Sequence, residues 1–220
     1  MIRAVIFDMD GVLVDSEKLG LEASKITFLK HGAKVKDADV LPYIGAGTRA
    51  YVSGLARKYK VDEKIDTLIK ERFAEYDKLV KKKGLPARKG AVGLLRWAKR
   101  SGLKTALATA SSFPKIKLNL KAAGISIKLF DAIVSGTRVK RFKPAPDIFL
   151  AASRRIKTSP KYCVVIEDGE KGVIAAKRAG MNAIGVLGTF SLAKLKRAGA
   201  DLICRDQGLM RASKKMMLLH

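Results

Sequence analysis

The chain has 220 residues, 48% of them apolar, and a formal net charge of +25. That length holds one large domain or a core with an inserted second unit, and that apolar fraction excludes wholesale disorder. No apolar run reaches the ~18 residues of a membrane span, and Asp8 and Asp10 interrupt the apolar stretch near the amino terminus, so neither a spanning helix nor a signal peptide is expected.

The charge is unevenly spread. Between Ser16 and Pro86, 16 Lys/Arg stand against 10 Asp/Glu; from Ala87 onward, 28 stand against 7. Such a field draws anions, whether phosphorylated metabolites or nucleic acid. The basic residues are scattered through helix-like segments, with no aromatic-interleaved stripe. A solvated basic surface is therefore the expectation, and nucleic acid is not the expected partner. Cys163 and Cys204 lie in strand-like apolar runs and read as reduced core residues of a cytoplasmic protein. Two thiols without nearby histidines make a poor zinc site. Only two Asn and one Gln occur, a scarcity of thermolabile amides that points to a thermophilic source, while the low Glu count points the other way.

In chain order, Ala4 to Phe7 reads as a short strand buried on both faces. Asp8 and Asp10 follow at its carboxyl end, and Gly11 permits a tight turn there. Ser16 fits a helix N-cap with Glu17 in the first turn, and the helix stops near His31-Gly32. A second helix follows Thr48. A longer one carries Val61, Ile65, Leu68, Ile69, Phe73, Tyr76, Leu79 and Val80 at amphipathic spacing. Gly84 to Gly90 breaks the pattern as a linker.

Beyond the linker the period changes. Helix 91–100 leads to strand 104–109, and helix 114–123 to strand 132–135. Helix 146–156 leads to strand 162–167, helix 170–179 to strand 183–187, and a short helix 192–197 to strand 202–204. Residues from Ser213 on are expected to fray. The alternation predicts an α/β fold: a Rossmann-like doubly wound parallel sheet with an inserted α-helical cap. The catalytic core is expected over residues 1–15 and 87–220. The cap, residues 16–86, leaves after the first strand and so lies over its carboxyl end, where it can exclude water and choose a substrate.

Four polar stations fall at predicted strand ends: Asp8/Asp10; Thr109-Ala110-Ser111-Ser112; Lys143 within Arg141-Phe142-Lys143-Pro144; and Glu167-Asp168-Gly169. A parallel sheet gathers them along one edge, the edge where such sheets bind ligands. Close carboxylates repel unless a cation offsets them. Mg2+ prefers oxygen ligands, and Asp8 with Asp168 supplies a suitable pair. A carboxylate can attack phosphorus, and phosphoryl transfer otherwise needs positioning and positive charge. The Thr109 hydroxyl, the Ala110 backbone N–H and the Lys143 ammonium suit phosphate oxygens.

With Asp8-x-Asp10-Gly11-Val12-Leu13-Val14-Asp15-Ser16-Glu17, Thr109-Ala110-Ser111-Ser112, Lys143-Pro144-Ala145-Pro146-Asp147 and Glu167-Asp168-Gly169 in order, the chain resembles the haloacid dehalogenase superfamily. It resembles most its branch of β-phosphoglucomutases and sugar-phosphate or glycerol-phosphate phosphatases. The resemblance implies Asp8 as nucleophile and Mg2+ ligand. It implies Asp10 as general acid/base with its carbonyl on the metal, Thr109 and Lys143 as holders of the phosphoryl group, and Asp168 with Glu167 completing the metal site. Having Asp10 favours phosphoryl chemistry over dehalogenation.

The branch's mutases carry a cap histidine just beyond the first motif. The matching stretch here, Glu17-Lys18-Leu19-Gly20, has none, and the two histidines are His31 and His220. The expected function is thus a Mg2+-dependent phosphatase acting on a sugar or polyol phosphate, with a phosphomutase or a non-catalytic polyanion-binding protein as alternatives. A monomer acting on a small phosphorylated metabolite is expected, with no membrane partner. Gly45-Ala46-Gly47-Thr48-Arg49 resembles the branch's cap loop, which makes Arg49 a substrate-contact candidate. Lys78 on the long cap helix is another, and Lys18 and Tyr51 are further specificity candidates. Gly169 stands where the branch commonly has serine, so the hydrogen bonding around Asp168 is expected to differ.

Overall fold

A computed structural model describes residues 1–43 and 47–218. Six strands form one sheet: β1 (Ala4–Phe7), β2 (Lys104–Thr109), β3 (Ala132–Ser135), β4 (Cys163–Glu167), β5 (Asn182–Val186) and β6 (Leu202–Cys204). Their spatial order is β3-β2-β1-β4-β5-β6, and every pairing is parallel. The helices are α1 (Glu17–Lys30), α2 (Asp37–Val40), α3 (Thr48–Tyr59), α4 (Ile65–Lys83), α5 (Lys89–Arg100), α6 (Phe113–Ala122), α7 (Asp147–Arg155), α8 (Glu170–Arg178), α9 (Leu192–Arg197) and α10 (Leu209–Leu218). None is long and apolar enough to cross a membrane.

The strands are short and apolar because both faces of the sheet are covered. Val5 and Phe7 of β1 point into one core with Leu107, Val164 and Ile166, closed by Leu94 and Leu95 of α5 and Leu120 of α6. Ala4 and Ile6 point the other way, toward Ala106, Ala108 and Val165 and the α7 and α8 residues Phe149 and Val173. Successive residues thus feed opposite layers, as strand geometry requires. The strand order reverses about β1 and β4, and Phe7 is level with both Leu107 and Ile166. The residues just beyond those three positions meet at the switch point of the sheet.

Helices α1 to α4 lie between β1 and β2 in the chain and have their own cluster, built on Phe28, Val52, Leu55 and Leu68. The outgoing and returning chain run side by side: Val14 bridges Ala87, the Asp15 N–H donates to Pro86 O (3.2 Å), and the Arg88 N–H donates to Leu13 O (2.9 Å).

Three local expectations need correction. The long helix starts at Ile65, not near Val61, whose N–H closes off α3 on Ala56 O (2.9 Å). The tail from Ser213 does not fray: α10 continues to Leu218 because Leu209 and Met216 are buried against the α5 side of the core. Ser16 holds the N-cap position of α1, but its hydroxyl does not cap the helix; its actual partner lies in the site described next. Both cysteines are free thiols, and burial pushes Cys163 up to about 12 and Cys204 up to about 11.

Candidate active site

The expected stations at the sheet edge converge. Asp8 follows β1 and is almost fully buried, as are Thr109 at the end of β2, Lys143 on the loop after β3, Glu167 at the end of β4 and Asp168 just beyond it. All five line a cavity of about 820 Å3, together with Asp10 and Ala110. Lys143 Nζ donates to Asp8 Oδ1 at 2.6 Å and to Glu167 Oε2 at 2.7 Å, and lies 5.0 Å from the centre of the Phe149 ring. It is a buried ammonium clamped between two carboxylates. Burial opposes its charge, but Asp8 and Glu167 prevail and keep it firmly protonated.

Asp8, Glu167 and Asp168 each offer a carboxylate oxygen, and these oxygens lie within 4.8 Å of one another. Gly11 makes the close approach possible: its φ is +79°, and a Cβ there would meet Asp168 Oδ2 at 2.0 Å. The Thr189 hydroxyl, beyond β5, donates to Asp168 Oδ2 at 2.5 Å. Burial pushes the Asp8 carboxyl up to about 7, with Lys143 pulling down and Glu167 and Asp10 adding to the rise. Asp168 is raised well above the ordinary carboxylate range by burial and by the charges of Glu167 and Asp8. Three buried carboxylates against one ammonium leave an excess of negative charge, and the donors are all oxygen. That set fits a hard divalent cation.

Asp10 stands apart from this cluster. Its Oδ2 accepts from the Ser111 hydroxyl (2.7 Å), and its Oδ1 accepts from Lys115 Nζ (2.8 Å), Asn119 Nδ2 (3.4 Å) and the Ser16 hydroxyl. Burial pushes its carboxyl up, but Lys115, Ser16 and Ser111 outweigh that and hold it below the ordinary range. Beside it, Glu17 is raised by burial and by the charge of Asp10.

Two expected contact residues are elsewhere. Arg49 is an exposed side chain paired with Asp66, and Lys78 is an exposed one on Glu75 (3.0 Å); neither lines the cavity. The packing of α3 and α4 turns those positions outward. Gly45 and Ala46 of the expected cap loop, and His220, lie outside the described residues. Lys18 and Tyr51 do line the cavity, as does Arg72, which donates to Ser24 Oγ (2.7 Å) and Gly20 O (3.0 Å) and stacks on the Tyr51 ring. His31 pairs with Glu71 (2.8 Å) and is not a cavity residue. Gly169 donates its N–H to Glu167 Oε1 (3.0 Å), so the hydroxyl that reaches Asp168 comes from Thr189.

Sequence reasoning missed Lys115, Asn119 and Thr189. A signal for the first two exists: Lys115 and Asn119 lie four residues apart in α6, which places them on one helix face, just after the Thr109–Ser112 station. Thr189 is a polar residue soon after an apolar strand, as at the other stations.

A family model for haloacid dehalogenase-like hydrolases matches residues 5–186. The chain belongs to that family. A chloroplastic protein of Arabidopsis thaliana, SUPPRESSOR OF QUENCHING 1, is 42% identical over 209 residues, which are 94% of this chain but 20% of that protein. This hydrolase therefore spans about a fifth of that relative's length. The phosphorylated carbohydrates phosphatase of Thermotoga maritima is 31% identical over 98% of this chain and 100% of its own. The crystal structure of CbbY from Rhodobacter sphaeroides in complex with phosphate superposes with a TM-score of 0.87 at 28% identity, covering 95% of this chain and 96% of that one. Within the haloacid dehalogenase-like hydrolases the chain is an enzyme of the phosphatase type.

Proposed function

We propose that this hydrolase is a Mg2+-dependent phosphatase that cleaves a small organic phosphate monoester, a sugar or polyol phosphate, through an aspartyl-phosphate on Asp8. The observation that carries the reading is the seating of Asp8 between Lys143 and the Glu167/Asp168 pair on the wall of a cavity of about 820 Å3. Asp8, Glu167 and Asp168 would hold the cation, with the Asp10 carbonyl as the family resemblance implies. When bound, the ion supplies positive charge to the phosphoryl oxygens and to the carboxylates that surround it.

Asp8 then attacks phosphorus as the ester P–O bond breaks, and Asp10 gives a proton to the departing alkoxide. Asp10 next takes a proton from water, which attacks the acyl phosphate, releases inorganic phosphate and restores Asp8. Lys143 sits beside the attacking oxygen and offers charge to the phosphoryl group. The Thr109 hydroxyl accepts the Ser111 N–H (3.1 Å), so its own proton is free for a phosphoryl oxygen, and the Ala110 N–H stands next to it in the same turn. Residues 16–86 act as the cap over a core of residues 1–15 and 87–220. Lys18, Tyr51 and Arg72 form the specificity wall, and the enzyme works as a cytoplasmic monomer.

The test is phosphate release from a panel of phosphorylated sugars and polyols. Wild-type protein with Mg2+ should release phosphate, EDTA should stop it, and Asp8→Asn should be inactive while melting as a folded protein. Turnover by Asp8→Asn, or interconversion of sugar phosphates without net phosphate release, would overturn the reading.

A further inference from the structure

Tyr76 lies in the middle of α4, yet its side chain is almost wholly buried against α6. Its hydroxyl donates to Asn119 Oδ1 at 2.9 Å, and Asn119 is fully buried. Asn119 Nδ2 points on to Asp10 Oδ1 at 3.4 Å, and Lys115 Nζ, which pairs with the same oxygen at 2.8 Å, lies 5.1 Å from the centre of the Tyr76 ring. A buried amide and a buried phenol at a helix–helix contact cost desolvation that leucine and phenylalanine would avoid. The phenol hydroxyl and the amide oxygen offset that cost by bonding each other.

The polarity of the chain is fixed by its end. An ionised carboxylate only accepts, so the Asn119 amide must turn its NH2 to Asp10 and its oxygen to Tyr76, which leaves the phenol to donate. Rotating the amide by half a turn would set its oxygen against the Asp10 carboxylate. One orientation satisfies all three groups, and it joins α4, which precedes β2 in the chain, to the carboxylate after β1.

We propose that Tyr76 and Asn119 are positioning residues: a buried hydrogen-bond relay through which α4 sets the orientation of the Asp10 side chain. The proposal rests on the proton-transfer role given to Asp10 above. Neither residue lines the cavity, so neither touches substrate. Their effect passes to the reaction only through Asp10 and its Lys115 partner. Buried polar chains of this kind fix one arrangement where apolar packing would tolerate several.

The experiment is steady-state kinetics with Mg2+ on Tyr76→Phe, Asn119→Leu and the double variant, with Asp10→Asn alongside. Tyr76→Phe keeps the ring, and Asn119→Leu keeps the volume without leaving an unpaired amide. Each should lower kcat by about 10- to 100-fold, the range for a displaced catalytic group, with KM and Mg2+ affinity unchanged. The double variant should lose no more than the worse single, because both act through one contact. Wild-type kcat in Tyr76→Phe, losses that multiply in the double variant, or losses that move KM and Mg2+ affinity together would overturn the relay. An inactive Asp10→Asn beside fully active relay variants would reject the relay alone. An active Asp10→Asn would reject the role of Asp10, and the relay with it.

Discussion

Gly172 tests how tightly the metal-side carboxylates are packed. It lies in the first turn of α8, where alanine would normally stabilise a helix by about 1 kcal/mol. Here a Cβ would sit 2.1 Å from Glu167 Oε2 and 2.1 Å from its carboxyl carbon. Carbon and oxygen need roughly 3.5 Å, so the carboxylate would have to retreat by more than about 1 Å. It has nowhere easy to go: it is almost fully buried and held by Lys143 Nζ at 2.7 Å and by the Gly169 N–H at 3.0 Å. A shift of that size takes the Lys143 contact out of hydrogen-bond range, and a charged hydrogen bond is worth about 1.5–3 kcal/mol, more when a buried partner is left uncompensated. After the helix gain is subtracted, Gly172→Ala should cost about 2 kcal/mol and lower Tm by roughly 4–8 °C for a chain of this size. Gly93, in α5, is the control: nothing lies within 4 Å of its would-be Cβ, so Gly93→Ala should raise stability by about 1 kcal/mol. Thermal melts of the two variants decide the matter. If Gly172→Ala melts as high as Gly93→Ala, the carboxylate is not held as described.

Gly11→Ala should abolish Mg2+ binding in a calorimetric titration, because its Cβ would meet Asp168 Oδ2 at 2.0 Å and its φ of +79° strains any side chain. Mg2+ affinity should weaken as pH falls below about 7, where Asp8 takes up a proton in the metal-free protein, and binding near pH 6.5 should release protons measurable in two buffers of different ionisation enthalpy. The same group bears on stability. The folded state holds its proton up to about pH 7 while the unfolded chain loses it near 3.8, so the folded state binds more protons in that window. The metal-free protein should therefore lose stability as pH rises from about 5 to 7.5, and saturating Mg2+ should remove that loss. Finally, kcat/KM for a phosphate ester should fall with added KCl while kcat stays level, because a net charge of +25 speeds anion encounter.

The sheet was legible because it obeys simple rules. Each strand is a short apolar run, each is followed by a helix, and right-handed parallel connections then leave few topologies. The stations Asp8, Thr109 and Glu167-Asp168 were legible for the same reason: a polar residue at the carboxyl end of a buried strand has one edge to go to, and the loop after β3 carries Lys143 to it. Arg49 and Lys78 were misplaced because the face a helix presents to a cavity is set by packing among α1, α3 and α4, which spacing alone does not reveal. Lys115 and Asn119 escaped notice for the opposite reason. A lysine or asparagine on an amphipathic helix is ordinarily solvated, and only the fold brings Tyr76 and Asp10, both far away in sequence, against this pair. The tail failed as a prediction because terminal residues fray unless tied down, and Met216 ties this one.

The two aspartates after β1 are pushed in opposite directions, and the direction at first looks wrong for the proposed roles. Asp8, the proposed nucleophile, is the one raised, and Asp10, the proposed proton carrier, is the one lowered. The surroundings resolve the conflict. What raises Asp8 is burial beside Glu167 and Asp10 with one ammonium to balance them, and a divalent cation, if Asp8, Glu167 and Asp168 hold one as proposed, would reverse that sign by adding positive charge where the excess lies. What lowers Asp10 is Lys115 with Ser16 and Ser111, a set of donors that grips the carboxylate away from the metal-side cluster. To protonate a leaving oxygen, Asp10 must exchange some of those donors for the substrate, and each donor lost raises its proton affinity. In the proposed mechanism Asp10 thus comes to hold the proton it must deliver as it engages the ester, and Asp8 would be kept ionised for attack once the cation is bound. On that proposal, substrate and cation together set the two carboxylates to their tasks.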